Sequence, residues 1–223
     1  MNSQRRLPHF YPEGCWLFVT WHLHGSLPPG RYPPPAKASA GEAFVWIDRY
    51  LDLARDGPVF LRQDAIAHLV VDSLFRGVEL GHYKLGSFAV LANHVHVLLL
   101  PEISPSCLLK SLKGHTAREA NRLLGRTGEP FWQRESYDRC VRDSAEFARI
   151  ATYIENNPLK AGLVQRPGEY AWSSGNPRWR ERMETQTRER LETQTRERLE
   201  TRTRERLETQ TRERLKRQTF TRV

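Results

Sequence analysis

Paired cysteines are missing. Cys15, Cys107 and Cys140 are an odd number, widely scattered and without any C-x-x-C spacing, which argues against a disulfide framework and against a thiolate zinc site. Three small buried thiols in a reducing cytoplasm are expected instead. Long apolar runs are missing as well. No uncharged apolar stretch reaches the roughly 18 residues a membrane helix needs, and nothing near the N-terminus is laid out as a secretory signal. A soluble, cytoplasmic protein without a membrane partner is therefore expected. Acidic residues are in deficit: 26 Asp and Glu against 35 Lys and Arg leave a net charge of +9. Such a balance points to an anionic partner, by default nucleic acid.

What is present suits a globular core, since six Trp, seven Tyr and nine Phe are spread over 223 residues, enough for one sizeable domain and an appendage. Residues 1–14, with Arg5 and Arg6, read as a basic arm. Cys15 to His24 is rich in aromatic and β-branched residues and reads as a first strand, ended by Gly25 and Pro28-Pro29-Gly30. Its His22 and His24 are read as surface or hydrogen-bonded histidines rather than ligands. A Pro- and Gly-rich loop over 25–40 precedes helices over about 41–56 and 62–74, broken at Gly57-Pro58. Tyr83 to Leu91 and His94 to Leu100 read as two strands. Ser104-Pro105 starts a helix that runs to about Leu124 and stops at Gly125. Phe131 to Arg142 reads as strand or extended chain. Asp143 or Ser144 then opens a helix expected to end at Asn157, because Pro158 restricts the residue before it and cannot donate to the ladder. This order predicts an α+β domain over 15–179, a ferredoxin-like antiparallel sheet with helices packed on it.

From residue 180 to 223 the composition changes abruptly. Glu184-Thr-Gln-Thr-Arg-Glu-Arg-Leu191 recurs three more times, with Arg202 in place of Gln in one copy. An eight-residue period at about 100° per residue advances each leucine by roughly 80°. No apolar stripe forms, and a coiled coil requires a period of seven or eleven. The tail is expected to be a solvated helix or disordered.

The chemistry centres on Asn93-His94-Val95-His96-Val97. Alternate residues of a strand share a face, so His94 and His96 form a two-imidazole clamp that fills only part of a divalent cation's coordination shell. On the helix after residue 144, Phe147, Ile150, Ala151 and Ile154 mark the buried stripe, and Tyr153 and Asn157 lie one turn apart at its margin. An Asn oxygen could complete a site with the two histidines for Mg²⁺ or Mn²⁺. Tyr153 could attack a phosphorus polarised by that ion, giving a phosphotyrosine. Tyr137, in Glu135-Ser-Tyr-Asp138, is the rival nucleophile, although its neighbours suit base stacking equally. Lys110, Lys113, Arg118 and Arg122 on one helix, with Arg139 and Arg142, are the candidate phosphate contacts. Trp132 and Trp172 are read chiefly as packing residues.

Six blocks, in order, resemble the REP-associated tyrosine transposases, a branch of the single-tyrosine HUH transposases. They are Val19-Thr-Trp-His-Leu-His-Gly-Ser-Leu27, Asn93-His-Val-His-Val-Leu98, Leu112-Lys-Gly-His-Thr-Ala117, Phe131-Trp-Gln-Arg-Glu-Ser-Tyr-Asp138, Tyr153-Ile-Glu-Asn-Asn-Pro-Leu-Lys-Ala-Gly-Leu163 and Trp172-Ser-Ser174. The resemblance covers about residues 10–175 and leaves out the tail. It implies a nuclease and strand-transferase acting on single-stranded DNA at hairpins formed by palindromic repeats, nucleoid-associated and able to form a homodimer. By the family's pattern His94 and His96 are the metal ligands, Tyr153 is the nucleophile and Asn157 is the third ligand, one carbon shorter than the Gln of related transposases. A protein of the same fold that has lost catalysis and only grips hairpin DNA or RNA is the alternative.

Overall fold

The computed structural model describes residues 12–27 and 39–220. The basic arm and the centre of the Pro-rich loop fall outside the described residues. Two compact units divide the chain, Met1–Arg180 and Glu181–Val223. The first is α+β, with β1 (Leu17–His22), α1 (Ala40–Leu53), α2 (Asp64–Glu79), β2 (Tyr83–Val90), β3 (His94–Pro101), α3 (Pro105–Leu123), β4 (Tyr137–Cys140) and α4 (Ser144–Lys160) in chain order. The strands lie in the order β2-β3-β1-β4, each pair antiparallel. This is the ferredoxin-like arrangement, with β3 and β1 at the centre.

Strand alternation sends the two kinds of side chain to opposite faces. Val95, Val97 and Leu99 of β3 join Val19 and Trp21 of β1 on the face covered by α2 and α3, where Phe75, Phe88 and Trp179 pack with centroids 5.6–6.3 Å apart. His94, His96 and Leu98 join Phe18 and Thr20 on the other face. There Phe18, Ala89, Leu98 and Ile154 form a cluster with Phe44 of α1 and Phe147, Ile150 and Tyr153 of α4 packed against it. The polar histidines thus share a face with an apolar cluster that seals them from below. Gly86 marks a register shift in β2, where Trp16 lies so close that an added Cβ would stand 2.8 Å from its ring.

Several boundaries differ from the sequence reading. Helix α2 continues five residues beyond Leu74, because Phe75 and Gly77 extend its buried face. Helix α4 passes through Pro158 and ends at Lys160. A proline this near a C-terminus removes a single ladder bond, and the last turn is closed by Ala161 N–H to Asn157 C=O at 2.9 Å and Leu163 N–H to Pro158 C=O at 2.9 Å. Extended chain over 131–142 contracts to the four residues of β4, with Trp132 attached to Leu23 by an isolated bridge.

The cysteine expectation is corrected. Cys15 and Cys140 form a disulfide with Cα atoms 5.9 Å apart. They are 125 residues apart in the chain, but β1 and β4 pair antiparallel with Leu17 opposite Cys140, which brings the start of one to the end of the other. Cys107 is exposed rather than buried.

The start of α4 is fixed by a buried acid. Asp143 caps it by accepting from Glu146 N–H at 2.6 Å, and the Glu146 carboxylate accepts from Arg142 N–H at 2.9 Å, Arg142 Nε at 3.0 Å and the Arg139 guanidinium. Because Arg139 belongs to β4, this pins the helix that carries Tyr153 to the sheet edge.

In the second unit the octapeptides are helical, within α5 (Pro177–Phe220). Leu191 and Leu199 are about 60% exposed, at 60% and 58%. Thr185, Thr187, Thr193 and Thr195 turn their hydroxyls onto carbonyls four residues back. No described helix is long and apolar enough to cross a membrane.

Candidate active site

The two histidines are held from behind. His94 Nδ1 donates to Asn93 Oδ1 at 2.7 Å, and His96 Nδ1 meets Thr20 Oγ1, directly opposite on β1, at 2.7 Å. Both rings are fully buried. Fixing Nδ1 leaves Nε2 as the free nitrogen, the arrangement in which histidines are presented to metals, and the two Nε2 atoms lie 3.1 Å apart.

A third ligand-type group comes from α1. That helix lays Phe44 and Leu51 against the sheet and carries Asp48 on the same side, 3% exposed. Asp48 Oδ1 is 3.1 Å from His96 Nε2 and 3.9 Å from His94 Nε2. Asp48, His94 and His96 are the group of three ligand-type side chains that the described residues bring together. Asp52, one turn later, places Oδ1 3.6 Å from His94 Nε2.

Helix α4 closes the other side. Asn157, fully buried, sets Nδ2 3.2 Å from His96 Nε2 and 3.5 Å from Asp48 Oδ2. The Tyr153 hydroxyl donates to Asp48 Oδ2, and its ring stands 5.8 Å from that of His96. Two periodicities, two residues in β3 and four in α4, thus converge on one carboxylate, within one chain.

The donor set fits a hard divalent cation. Asp48 Oδ1, Asp52 Oδ1 and Asn157 Oδ1 are buried oxygens with no hydrogen-bond donor, and such atoms ordinarily find a partner. Neighbouring ligand atoms on a cation with bonds of about 2.1 Å stand roughly 3 Å apart, close to the spacings of the two imidazoles and Asp48.

Electrostatics point the same way. Burial holds the His94 imidazole neutral, well below its ordinary pKa, with His96 adding to the effect. Burial would raise Asp48, but His96 and His94 outweigh it and keep the carboxylate below the usual range. Asp52 is pushed up to about 7 by burial and by the charge of Asp48. Tyr153 is raised well above an ordinary phenol by burial, then by the charge of Asp48 and the bond to it. In the protein alone the tyrosine keeps its proton.

The remaining sequence candidates are dispersed. Tyr137 stacks on Phe44 at 4.3 Å between β4 and α1. Lys113 Nζ donates to the carbonyls of Gln133 and Arg134 at 2.9 and 3.1 Å, holding the segment before β4. Arg122 pairs with Glu119, and Arg139 and Arg142 with Glu146. Lys110 and Arg118 line a cleft of about 1100 Å³ between α2 and α3 on the opposite side of the sheet. Trp132 is buried with its indole N–H on Thr116 Oγ1 at 2.9 Å, and Trp172 lies 6.3 Å from Trp179. His22 is partly buried and pushed down to about 4, chiefly by loss of solvent around it, with Nδ1 3.0 Å from the Leu23 carbonyl oxygen.

Residues 70–157 match the family model described as transposase, IS200 like. The matched segment runs from within α2 to Asn157, so the histidine pair, Tyr153 and Asn157 lie inside it, while Asp48 on α1 lies outside. Comparison with curated proteins gives no match. Among solved structures the chain is similar to a REP-associated tyrosine transposase bound to a REP hairpin, at 18% identity over 78% of this chain and 82% of that one, with a TM-score of 0.47. It is also similar to a protein of Deinococcus radiodurans R1 assigned to the transposases, at 19% identity over 70% of this chain and 98% of that one, with a TM-score of 0.38.

Sequence reasoning missed Asp48 and Asp52. A carboxylate four residues after Phe44 and three before Leu51, on the apolar stripe of α1, was the available signal.

Proposed function

We propose that the protein is a metal-dependent nuclease and strand-transferase that cuts single-stranded DNA at hairpins of palindromic repeats through a 5′-phosphotyrosine on Tyr153. The observation that carries this reading is the Tyr153 hydroxyl bonded to a carboxylate whose other oxygen faces two buried imidazoles. His94, His96 and Asp48 Oδ1 would hold Mg²⁺ or Mn²⁺, with Asn157 beside them, and the ion would polarise a phosphate oxygen. Asp48 Oδ2 remains turned to Tyr153 and takes the phenolic proton. With the negative charge of Asp48 offset, the second of the effects that raise the phenol, after burial, is relieved. The Tyr153 Oη–phosphorus bond forms as the phosphorus–O3′ bond breaks, and the departing oxygen is protonated by water. A free 3′-hydroxyl reverses the step and joins strands without ATP. Because β3, α1 and α4 of one chain supply every group, a second copy is not needed to assemble the cluster.

The test uses the full chain, Mn²⁺ and a single-stranded oligonucleotide carrying palindromes from the flanking genome. Parent protein gives a covalent adduct that survives denaturant; Tyr153→Phe gives none but still binds the hairpin. An adduct that persists in Tyr153→Phe rejects the nucleophile. Binding without cleavage by the parent under all metals favours a protein that only grips hairpins.

A further inference from the structure

The stripe that brings Tyr153 and Asn157 to the histidines continues to Lys160, two helical turns after Tyr153. Its ammonium lies 4.1 Å from the centre of the Tyr153 ring, and its side chain is exposed at the end of α4. The cluster beneath holds two carboxylates, Asp48 and Asp52, and a bound phosphodiester would add further negative charge. Lys160 is the cationic side chain that the structure lays against the tyrosine ring, at the exposed end of α4.

We infer that Lys160 is a phosphate-binding residue of the cleavage reaction, its ammonium donating to a non-bridging oxygen of the DNA phosphodiester attacked by Tyr153. The inference rests on the function proposed above. A phosphoryl group under attack spreads charge over its non-bridging oxygens, and fixed donors there stabilise the transition state. Lys160 neither gives nor takes a proton: Oη–P forms, P–O3′ breaks, and the phenolic proton passes to Asp48. Its place over the ring face also holds the phenol in one orientation through a cation–π contact. A lysine in the last turn favours a helix by its charge alone, so the test must separate that role from contact with the phosphate.

The single-turnover rate of adduct formation is measured at saturating oligonucleotide with Mn²⁺ for the parent, Lys160→Met and Lys160→Arg. Methionine keeps the apolar stem and removes the donor. It is expected to slow the step by about 10²-fold, as loss of one transition-state donor does, with a melting temperature close to the parent's. Arginine is expected to restore most of the rate. Removing one phosphate contact should also reduce the slope of log affinity against log salt by about 0.7 for a single strand. A Lys160→Met rate within twofold of the parent overturns the inference and leaves the nucleophile standing. Failure of the parent to form any adduct overturns both.

Discussion

At the scale of single residues, the site turns on Asp48, one carboxylate with two occupied sides. Oδ1 faces the imidazole nitrogens and Oδ2 accepts the hydrogen bond of the Tyr153 hydroxyl. Substituting asparagine keeps the shape and removes the charge. Asp48→Asn is expected to weaken Mn²⁺ binding by more than about tenfold, since outer-shell changes alone cost 10–100-fold at such sites. Titration calorimetry of the chelator-stripped protein measures this, and affinity equal to the parent's would remove Asp48 from the ligand set. The histidines were legible because strand alternation fixes which side chains share a face, whatever the tertiary structure. Asp48 was not, because an acid on an amphipathic helix reads as solvated until the packing of Phe44 and Leu51 shows which way α1 is turned. Tyr153 and Asn157 could be placed one turn apart from spacing, but their approach to Asp48 depends on how two helices cross one sheet.

At the scale of elements, α4 is the part whose placement decides the chemistry, and Glu146 fixes its first turn. This acid is 4% exposed while Arg142 is largely open to solvent. Removing the acid therefore strands no buried cation, but it deprives the Arg142 amide and two guanidinium groups of their acceptor. Glu146→Ala is expected to destabilise the protein by about 2 kcal/mol, the cost of leaving donors without their acceptor and less than that of breaking a fully buried pair. Glu146→Gln, which keeps an acceptor, should cost about half that; urea unfolding gives both. Helix and strand interiors were readable from apolar period, and their ends were not. Pro158 is tolerated in the last turn of α4 because Ala161 and Leu163 close it, an arrangement no local rule foretells. The cysteine pair was hidden for the same reason, since only the antiparallel pairing of β1 and β4 makes residues 15 and 140 neighbours.

At the scale of the whole molecule, the core of the first unit extends to Trp179, which is 1% exposed and donates its indole N–H to the Ala171 carbonyl at 2.5 Å. A chain ending after Arg180 is expected to unfold within about 2 °C of the full chain, since a shift of 1 kcal/mol moves a domain of this size by roughly 2–4 °C. One ending before Trp179 loses about 3–5 kcal/mol, the cost of deleting a large core aromatic; thermal scans of the two truncations distinguish them. Beyond Arg180 each octapeptide adds about 12 Å of helix, from 1.5 Å per residue, and the leucines of the first two copies, Leu191 and Leu199, are 60% and 58% exposed. The hydroxyl bonds of Thr185 and Thr187 are repeated by Thr193 and Thr195 one copy later. Slippage during replication can therefore lengthen or shorten the tail in steps of one repeat without a folding penalty, and copy number becomes a quantity free to drift between isolates while the sheet and its helices are held fixed.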